Sequence, residues 1–412
     1  MAKKFNDLIW IAIDIGTTKI CVIVSRGLTP EQAEVLGVGQ APSDGLRRGV
    51  VVDIAKTVQS IRAAIAEAQL MSGISIESAV IGISGAHIHS RNSVGAVPIL
   101  RGEVRPTDIT NVINAAQAVS VAQGQQILHV LPQFYTVDDE YNIADPLGMS
   151  GVRLEVQVHI ISGSVASVQN LIKCCQMAGV TVTDIVLEPL GSAAAVLSQD
   201  EKELGVGILD IGGGTSDFAI YRQGTIRHTK IIPIAGQLLT SDLAIGLSAT
   251  LKDAERVKRE YGIVHLSALH DDLSIDVEMV HGGQSRDIYA LDIIRILQPR
   301  AQEIIEFVAQ EIDRYQLRSN MRAGLVLTGG SALLQGLPML AKELLNIPVR
   351  VGMPKASSDL PEVLKHPRYA TSYGLILYEI QKRKDLNILK DGQGPLAKQL
   401  FTRMKSWVAD FF

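Results

Sequence analysis

Two short stretches carry the residues best suited to chemistry. Asp14-Ile15-Gly16-Thr17-Thr18-Lys19 and Asp210-Ile211-Gly212-Gly213-Gly214-Thr215 each place an aspartate at the end of an apolar run, followed by glycine and small hydroxyl residues. Glycine leaves backbone N–H groups unshielded, so such a turn can aim several donors at one phosphate. Gly16, Thr17 and Thr18 on one side and Gly212, Gly213, Gly214 and Thr215 on the other can therefore grip one polyphosphate between them. Lys19 can add a positive charge, its direction being open from sequence. Asp14 and Asp210 suit Mg²⁺ held through water, because that ion keeps much of its hydration shell. A third stretch, Leu327-Thr328-Gly329-Gly330-Ser331, puts a glycine pair after another apolar run, where the backbone can pass close under a flat base or ribose. Glycines that merely turn the chain explain either loop alone equally well; the matched pair argues against that reading.

The elements around these stretches must hold them at strand ends. Leu8 to Ile15 and Ile20 to Ser25 read as adjacent strands, with a helix from Ala55 to Met71. Val206 to Ile211 and Phe218 to Tyr221 repeat the strand, motif, loop and strand order, which predicts an internal duplication. Ser78 to Ile161 breaks that pattern. It holds strand-like runs at Ala79 to Ile83 and Leu154 to Ile161 around a polar helical stretch from Thr107 to Gln123, and so reads as an inserted subdomain. In the second half, Lys252 to Tyr261 predicts a charged helix and Ser274 to Val280 a strand. Ile288 to Tyr315 predicts a long helical stretch that Pro299 should end or kink. Ala323 to Thr328 reads as a buried strand and Tyr369 to Glu379 as a closing helix. Lys382 to Pro395 loses the apolar pattern and predicts a short flexible linker.

Bulk properties narrow the class. A chain of 412 residues, 47% apolar and 4% aromatic, can bury a large core divided among more than one domain. A formal charge of −4 gives no general basic field, so nucleic acid is not an expected partner. Cys21, Cys174 and Cys175 lack metal-ligand spacing and read as small buried residues in a reducing compartment. With no apolar run long enough to span a bilayer and no cleavage pattern, the expected compartment is the cytoplasm.

The last stretch, Leu396 to Phe412, shows a different pattern. At about 100° per residue, Leu396, Leu400, Phe401, Met404, Trp407, Val408, Phe411 and Phe412 share one half of a helix, and Lys398, Gln399, Thr402, Ser406 and Asp410 the other. Arg403 and Lys405 border the apolar face, where their stems can snorkel toward anionic headgroups. A helix docked on the protein's own core is the competing reading. The preceding polar stretch, the bordering cations and the terminal aromatics favour one lying in a membrane interface.

The ordered set Asp14-Ile-Gly-Thr-Thr-Lys19, Glu188-Pro-Leu-Gly-Ser-Ala-Ala-Ala195, Leu209-Asp-Ile-Gly-Gly-Gly-Thr215 and Thr328-Gly-Gly-Ser331 resembles the signature of the superfamily of actin, DnaK-type chaperones and sugar kinases. That resemblance implies an α/β, actin-like (ribonuclease H-like) duplicated two-domain ATPase fold closing on ATP and magnesium. It places Glu255, Lys258 and Arg259 against the adenosine, with Gly236 nearby, and Glu188 where an attacking water is oriented, beside Asp210. Solvated helix charges are the plainer reading of Glu255, Lys258 and Arg259. Within the superfamily, the insertion entered at Ile81-Gly-Ile-Ser-Gly-Ala-His-Ile88, the segment Gly236-Gln-Leu-Leu-Thr-Ser-Asp242-Leu-Ala244 and the tail resemble the FtsA family of bacterial division adaptors. The resemblance implies ATP binding with at most weak ATPase activity, self-polymerisation, and a place on the cytoplasmic face of the inner membrane at the septum.

By the same resemblance, residues 1–83 and 164–203 form subdomain 1A, and 84–163 form an inserted subdomain 1C that meets downstream division proteins. Residues 204–234 with 322–381 form 2A, 235–321 form 2B, 382–395 a linker and 396–412 the membrane helix. Subdomain 2B is implied to bind the C-terminal peptide of FtsZ, with Arg300 and Glu303 as candidates, although ordinary helix charges explain either alone. A small-molecule kinase on the same fold and a pilus-type adaptor are the alternatives; for the kinase, no catalytic aspartate in a sugar pocket can be nominated.

Overall fold

The computed structural model describes residues 9–391, apart from 273, 281–284 and 356–359. The expected tail helix Leu396–Phe412 and linker residues 392–395 lie outside the described residues. Two five-stranded mixed sheets organise the chain. In the first, the hairpin Ile9–Ile15 and Lys19–Arg26 is extended antiparallel by Glu34–Pro42, while Ser78–Ile83 and Thr181–Leu187 add in parallel on the other side. The second repeats this plan. The hairpin Val206–Ile211 and Ser216–Arg222 is extended antiparallel by Thr225–Ile232, with Leu325–Thr328 and Val349–Val351 parallel on the other side. The duplication read from two Asp-Ile-Gly motifs is thus a duplication of sheet topology. Near-continuous apolar runs such as Ile-Cys-Val-Ile-Val at 20–24 are what a sheet covered on both faces requires, and all five residues are buried.

Helices Ile54–Ser72 and Val165–Met177 pack together against the first sheet, while Glu188–Val196 lies between the two sheets and crosses the long helix Ala370–Asp391. That crossing is very close. A Cβ on Gly374 would stand 1.9 Å from the Gly191 carbonyl oxygen, so only glycine lets the two backbones meet there. The inserted segment is a four-stranded antiparallel sheet, His89–Pro98, Arg153–Ser164, Gln125–Val137 and Glu140–Ile143, with helix Pro106–Gln117 on one face. Helices Gly236–Leu247, Leu251–Tyr261 and Ala290–Arg314 form the second half's own layer with the hairpin Ser274–Glu278 and Ser285–Tyr289. No helix among the described residues is long and apolar enough to cross a membrane.

Three local expectations are corrected. Pro299 does not divide the stretch into two elements, since one helix runs from Ala290 to Arg314 with the proline inside it. Proline in a helix interior costs about 3 kcal/mol. Ile293, Ile294 and Leu297 before it and Ile304, Ile305, Val308 and Ile312 after it are all buried, each contributing about 1.5–3 kcal/mol, so burial outweighs the lost hydrogen bond. The polar helix expected over 107–123 stops at Gln117. Residues 382–391 are helical, continuing Ala370–Asp391, where a flexible linker was expected. Lys382 pairs with Asp184 and the Arg383 guanidinium lies 5.2 Å from the centre of the Trp10 ring, anchoring a polar stretch that contains neither glycine nor proline.

Candidate functional site

The two hairpins point their turns at each other across a cleft of about 790 Å³. The turns are built alike. Gly16 N–H donates to the Lys19 carbonyl at 3.1 Å and Gly212 N–H to the Thr215 carbonyl at 3.0 Å. Between the halves they nearly touch: a Cβ on Gly213 would stand 2.4 Å from Thr18 Cγ2, and one on Gly214 2.3 Å from Thr17 Oγ1. The second turn is also braced from behind. Helix Gly236–Leu247 starts against it, with Gly236 N–H donating to the Gly212 carbonyl at 3.0 Å and Gln237 N–H to that of Gly213 at 2.8 Å. Gly329, with φ +84°, passes beneath, and a Cβ there would stand 2.3 Å from Asp210 Oδ1. Gly330 and Ser331 line the same cleft, and the Ser331 hydroxyl lies 3.5 Å from the Gly212 carbonyl.

Carboxyl groups form the cleft floor. Asp210 Oδ2 accepts from Ser192 at 2.5 Å and Thr371 at 2.8 Å, yet burial still raises its pKa. Asp14 accepts from Ser372 at 2.6 Å, with Lys19 Nζ at 3.7 Å. Opposite Asp210 in the hairpin register stands Asp217, which accepts from Ser84 at 2.8 Å. Burial, then the neighbouring Asp210 charge, pushes Asp217 up to about 8. Glu188, at the start of its helix, is raised well above the carboxylate range by burial first and by Asp217, Asp14 and Asp210 next. Glu188 and Asp217 also hydrogen-bond each other, so the pair retains a proton near neutral pH.

The remaining expected residues are distributed as follows. Lys19 lines the cleft but is turned toward the chain's own helix: Nζ donates to the Arg368 carbonyl at 3.1 Å and to Ser372 at 3.3 Å, 4.3 Å from the centre of the Tyr369 ring. Lys258 donates to Glu255 at 2.6 Å, Thr240 at 2.8 Å and the Gly236 carbonyl at 3.0 Å. It therefore ties helix Leu251–Tyr261 to the start of Gly236–Leu247, and burial lowers its pKa. Glu255 and exposed Arg259 line the same wall. Arg300 and Glu303 lie outside the cleft lining, paired with each other, and Arg300 makes a two-pronged contact with Asp242 at 2.7 and 3.2 Å.

Sequence reasoning missed Asp217, Ser84, Thr371 and Ser372. Asp217 carried a signal, a lone acid within the apolar strand Ser216–Arg222. The hydroxyls carried none, because they reach the aspartates from far along the chain.

The chemistry of this cleft fits a nucleotide with a hard cation. The glycines leave backbone N–H groups of both turns unshielded along the cleft, and Asp14 and Asp210 offer the oxygen donors that Mg²⁺ prefers. Among the described residues no three histidine, cysteine or acidic groups are set to hold a metal ion by themselves.

Duplicated mixed sheets closing on one cleft, with helices between and outside them, define an actin-like fold. In agreement, a chain of a PilM–PilN type IV pilus biogenesis complex superposes with a TM-score of 0.65 at 17% identity, over 90% of this chain and 98% of that one. MreB5 of Spiroplasma citri bound to ADP superposes with a TM-score of 0.58 at 15% identity, over 92% and 98%. The model of the cell division protein FtsA matches residues 207–374, and that of the SHS2 domain inserted in FtsA matches 85–162. Cell division protein FtsA of Pseudomonas aeruginosa is 42% identical over 417 residues, covering 100% of both chains. The chain belongs to the FtsA family of cell division proteins.

Proposed function

We propose that this chain is an ATP-binding adaptor that polymerises on the cytoplasmic face of the inner membrane, tethers the FtsZ ring to it and helps recruit later division proteins. The observation that carries the reading is the pair of opposed glycine–hydroxyl turns above buried carboxyl groups in a two-body cleft. Gly16, Thr17, Thr18 and Gly212 to Thr215 hold the phosphates, and Gly329, Gly330, Ser331, Gly236, Glu255, Lys258 and Arg259 form the adenosine side. Asp14 and Asp210 hold Mg²⁺ through water. A Mg²⁺ ion held there would offset the charge between these aspartates and the phosphates. Glu188, in contact with Asp217, stands where it can orient water, but its raised pKa keeps it protonated and so unable to accept that water's proton, in keeping with weak hydrolysis at most.

In this reading residues 1–83 with 164–203, 84–163, 204–234 with 322–381, and 235–321 act as subdomains 1A, 1C, 2A and 2B. Subdomain 1C meets downstream division proteins and 2B, with Arg300 and Glu303, the FtsZ C-terminal peptide. Residues Leu396 to Phe412 lie on anionic lipid, with Leu400, Phe401, Met404, Trp407, Val408, Phe411 and Phe412 inserted and Arg403 and Lys405 at the headgroups. One such helix binds weakly, whereas a polymer multiplies its effective concentration. The test is assembly on vesicles containing anionic lipid with Mg²⁺–ATP, scored for filaments and for capture of the FtsZ C-terminal peptide, with Asp210→Ala as control. Filaments that form equally without nucleotide, or no capture of the peptide, would refute it.

A further inference from the structure

A second cavity, of about 440 Å³, opens where the inserted sheet meets the edge strand Thr225–Ile232 of the second half. Its walls hold Arg222 and Arg227 together with the amides of Asn92, Gln133, Gln157 and Asn320, and no acidic side chain among the described residues. Polar contacts join the two bodies around it: Ser90 donates to the Thr229 carbonyl at 2.8 Å and Gln133 to that of Ile226 at 2.8 Å.

The charge there is uncompensated. Arg222 donates to Asn320 Oδ1 at 2.7 Å, and Arg227 to the Arg222 carbonyl at 3.3 Å and Gln223 Oε1 at 2.6 Å, all neutral acceptors. Two guanidinium groups are thereby held near each other, half-buried, with no carboxylate partner among the described residues. Burial and the Arg222 charge both work against the charged form of Arg227. The Arg227 guanidinium lies 5.2 Å from the centre of the Phe134 ring, which fixes its stem without neutralising it. Gln133 is 4% exposed and joins the two bodies, its Nε2 donating to the Ile226 carbonyl at 2.8 Å and to the Arg227 carbonyl at 3.3 Å. A wall with paired cations and amides that can donate or accept matches a phosphate group carried on a hydroxyl-bearing body. The volume lies within the range of about 300–1,000 Å³ typical of small-molecule pockets.

We infer that this cavity binds a small phosphate monoester, its phosphate on Arg222 and Arg227 and its hydroxyls on the amides, bridging the insertion to the second half. The full-length protein, with the main cleft saturated by Mg²⁺–ATP, is titrated calorimetrically with glycerol 3-phosphate and glucose 6-phosphate, and with glycerol, glucose and inorganic phosphate. Binding of the monoesters, at least tenfold weaker for the unphosphorylated partners and for Arg222→Gln and Arg227→Gln, is the supporting result; inorganic phosphate should bind more weakly than the monoesters. Melting temperature and fluorescent-nucleotide affinity of the two variants guard against misfolding. A third variant, Gln157→Leu, removes a wall amide without touching charge and should weaken the monoesters more than inorganic phosphate. Absence of monoester binding to the unaltered protein, equal binding by folded arginine variants, or binding only of an acidic peptide offered in parallel would each overturn the inference.

Discussion

The two facing turns can approach each other only because a particular atom is missing. Gly213 and Gly214 face Thr18 and Thr17 so closely that any Cβ must push the halves apart. Gly213→Val should therefore lower nucleotide affinity at least tenfold while leaving the fold intact, measured by titration of a fluorescent ATP analogue and by circular dichroism. The floor acids make a second residue-level prediction, concerning pH. Asp217 has a folded pKa of about 8 against an ordinary 3.8, so the folded protein binds more protons than the unfolded chain between those values. Stability without nucleotide must then fall as pH rises through that window. Asp217→Asn should flatten the dependence and stabilise the protein at pH 8 relative to pH 5. A tenfold difference in proton affinity between the folded and unfolded chains corresponds to about 1.4 kcal/mol, so the effect is readable in the urea midpoints at the two pH values.

At the scale of elements, two helices behind the facing turns position the carboxylates of the cleft floor. Glu188–Val196 carries Ser192, and Ala370–Asp391 carries Thr371 and Ser372; their hydroxyls hold Asp210 and Asp14 in place. The backbones meet at Gly374 and Gly191 with no room for a side chain. Gly374→Ala should cost about 1–3 kcal/mol through overpacking. Because the crossing also sets the hydroxyls, the variant should lose nucleotide affinity as well, which combined thermal melts and nucleotide titration would reveal. Helix Ala290–Arg314 works differently, tied to Gly236–Leu247 through Arg300 and Asp242. Removing the partly buried arginine leaves Asp242 without that partner, so Arg300→Ala should cost about 1 kcal/mol, measured by denaturant unfolding. In the proposed reading it also weakens the FtsZ peptide.

The whole molecule, in that reading, joins a cleft that closes on nucleotide to a tail that prefers an interface. Deleting Leu396–Phe412 should abolish co-sedimentation with anionic vesicles while leaving nucleotide affinity unchanged, and Trp407→Glu should do the same by placing a charge on the apolar face. Undiminished sedimentation of the truncated chain would remove the tail from the mechanism. Raising salt should weaken the full-length protein's attachment, because screening acts on the Arg403 and Lys405 contribution and spares the inserted aromatics.

The duplicated fold and the two facing glycine turns were legible in the sequence because both are local signals. An apolar strand ending in aspartate and glycine announces its own geometry wherever the chain carries it. Proline at 299 and the polar run from Lys382 were misleading for the complementary reason, since local propensity there is overridden by Ile293 to Ile312 burying on one face and by Lys382 reaching Asp184. Only the tertiary structure decided what surrounds the aspartates. Ser84, Ser192, Asp217, Thr371 and Ser372 converge from distant segments, and neither the raised pKa of Glu188 nor the two uncompensated arginines beside the insertion exists until burial and packing bring those charges together.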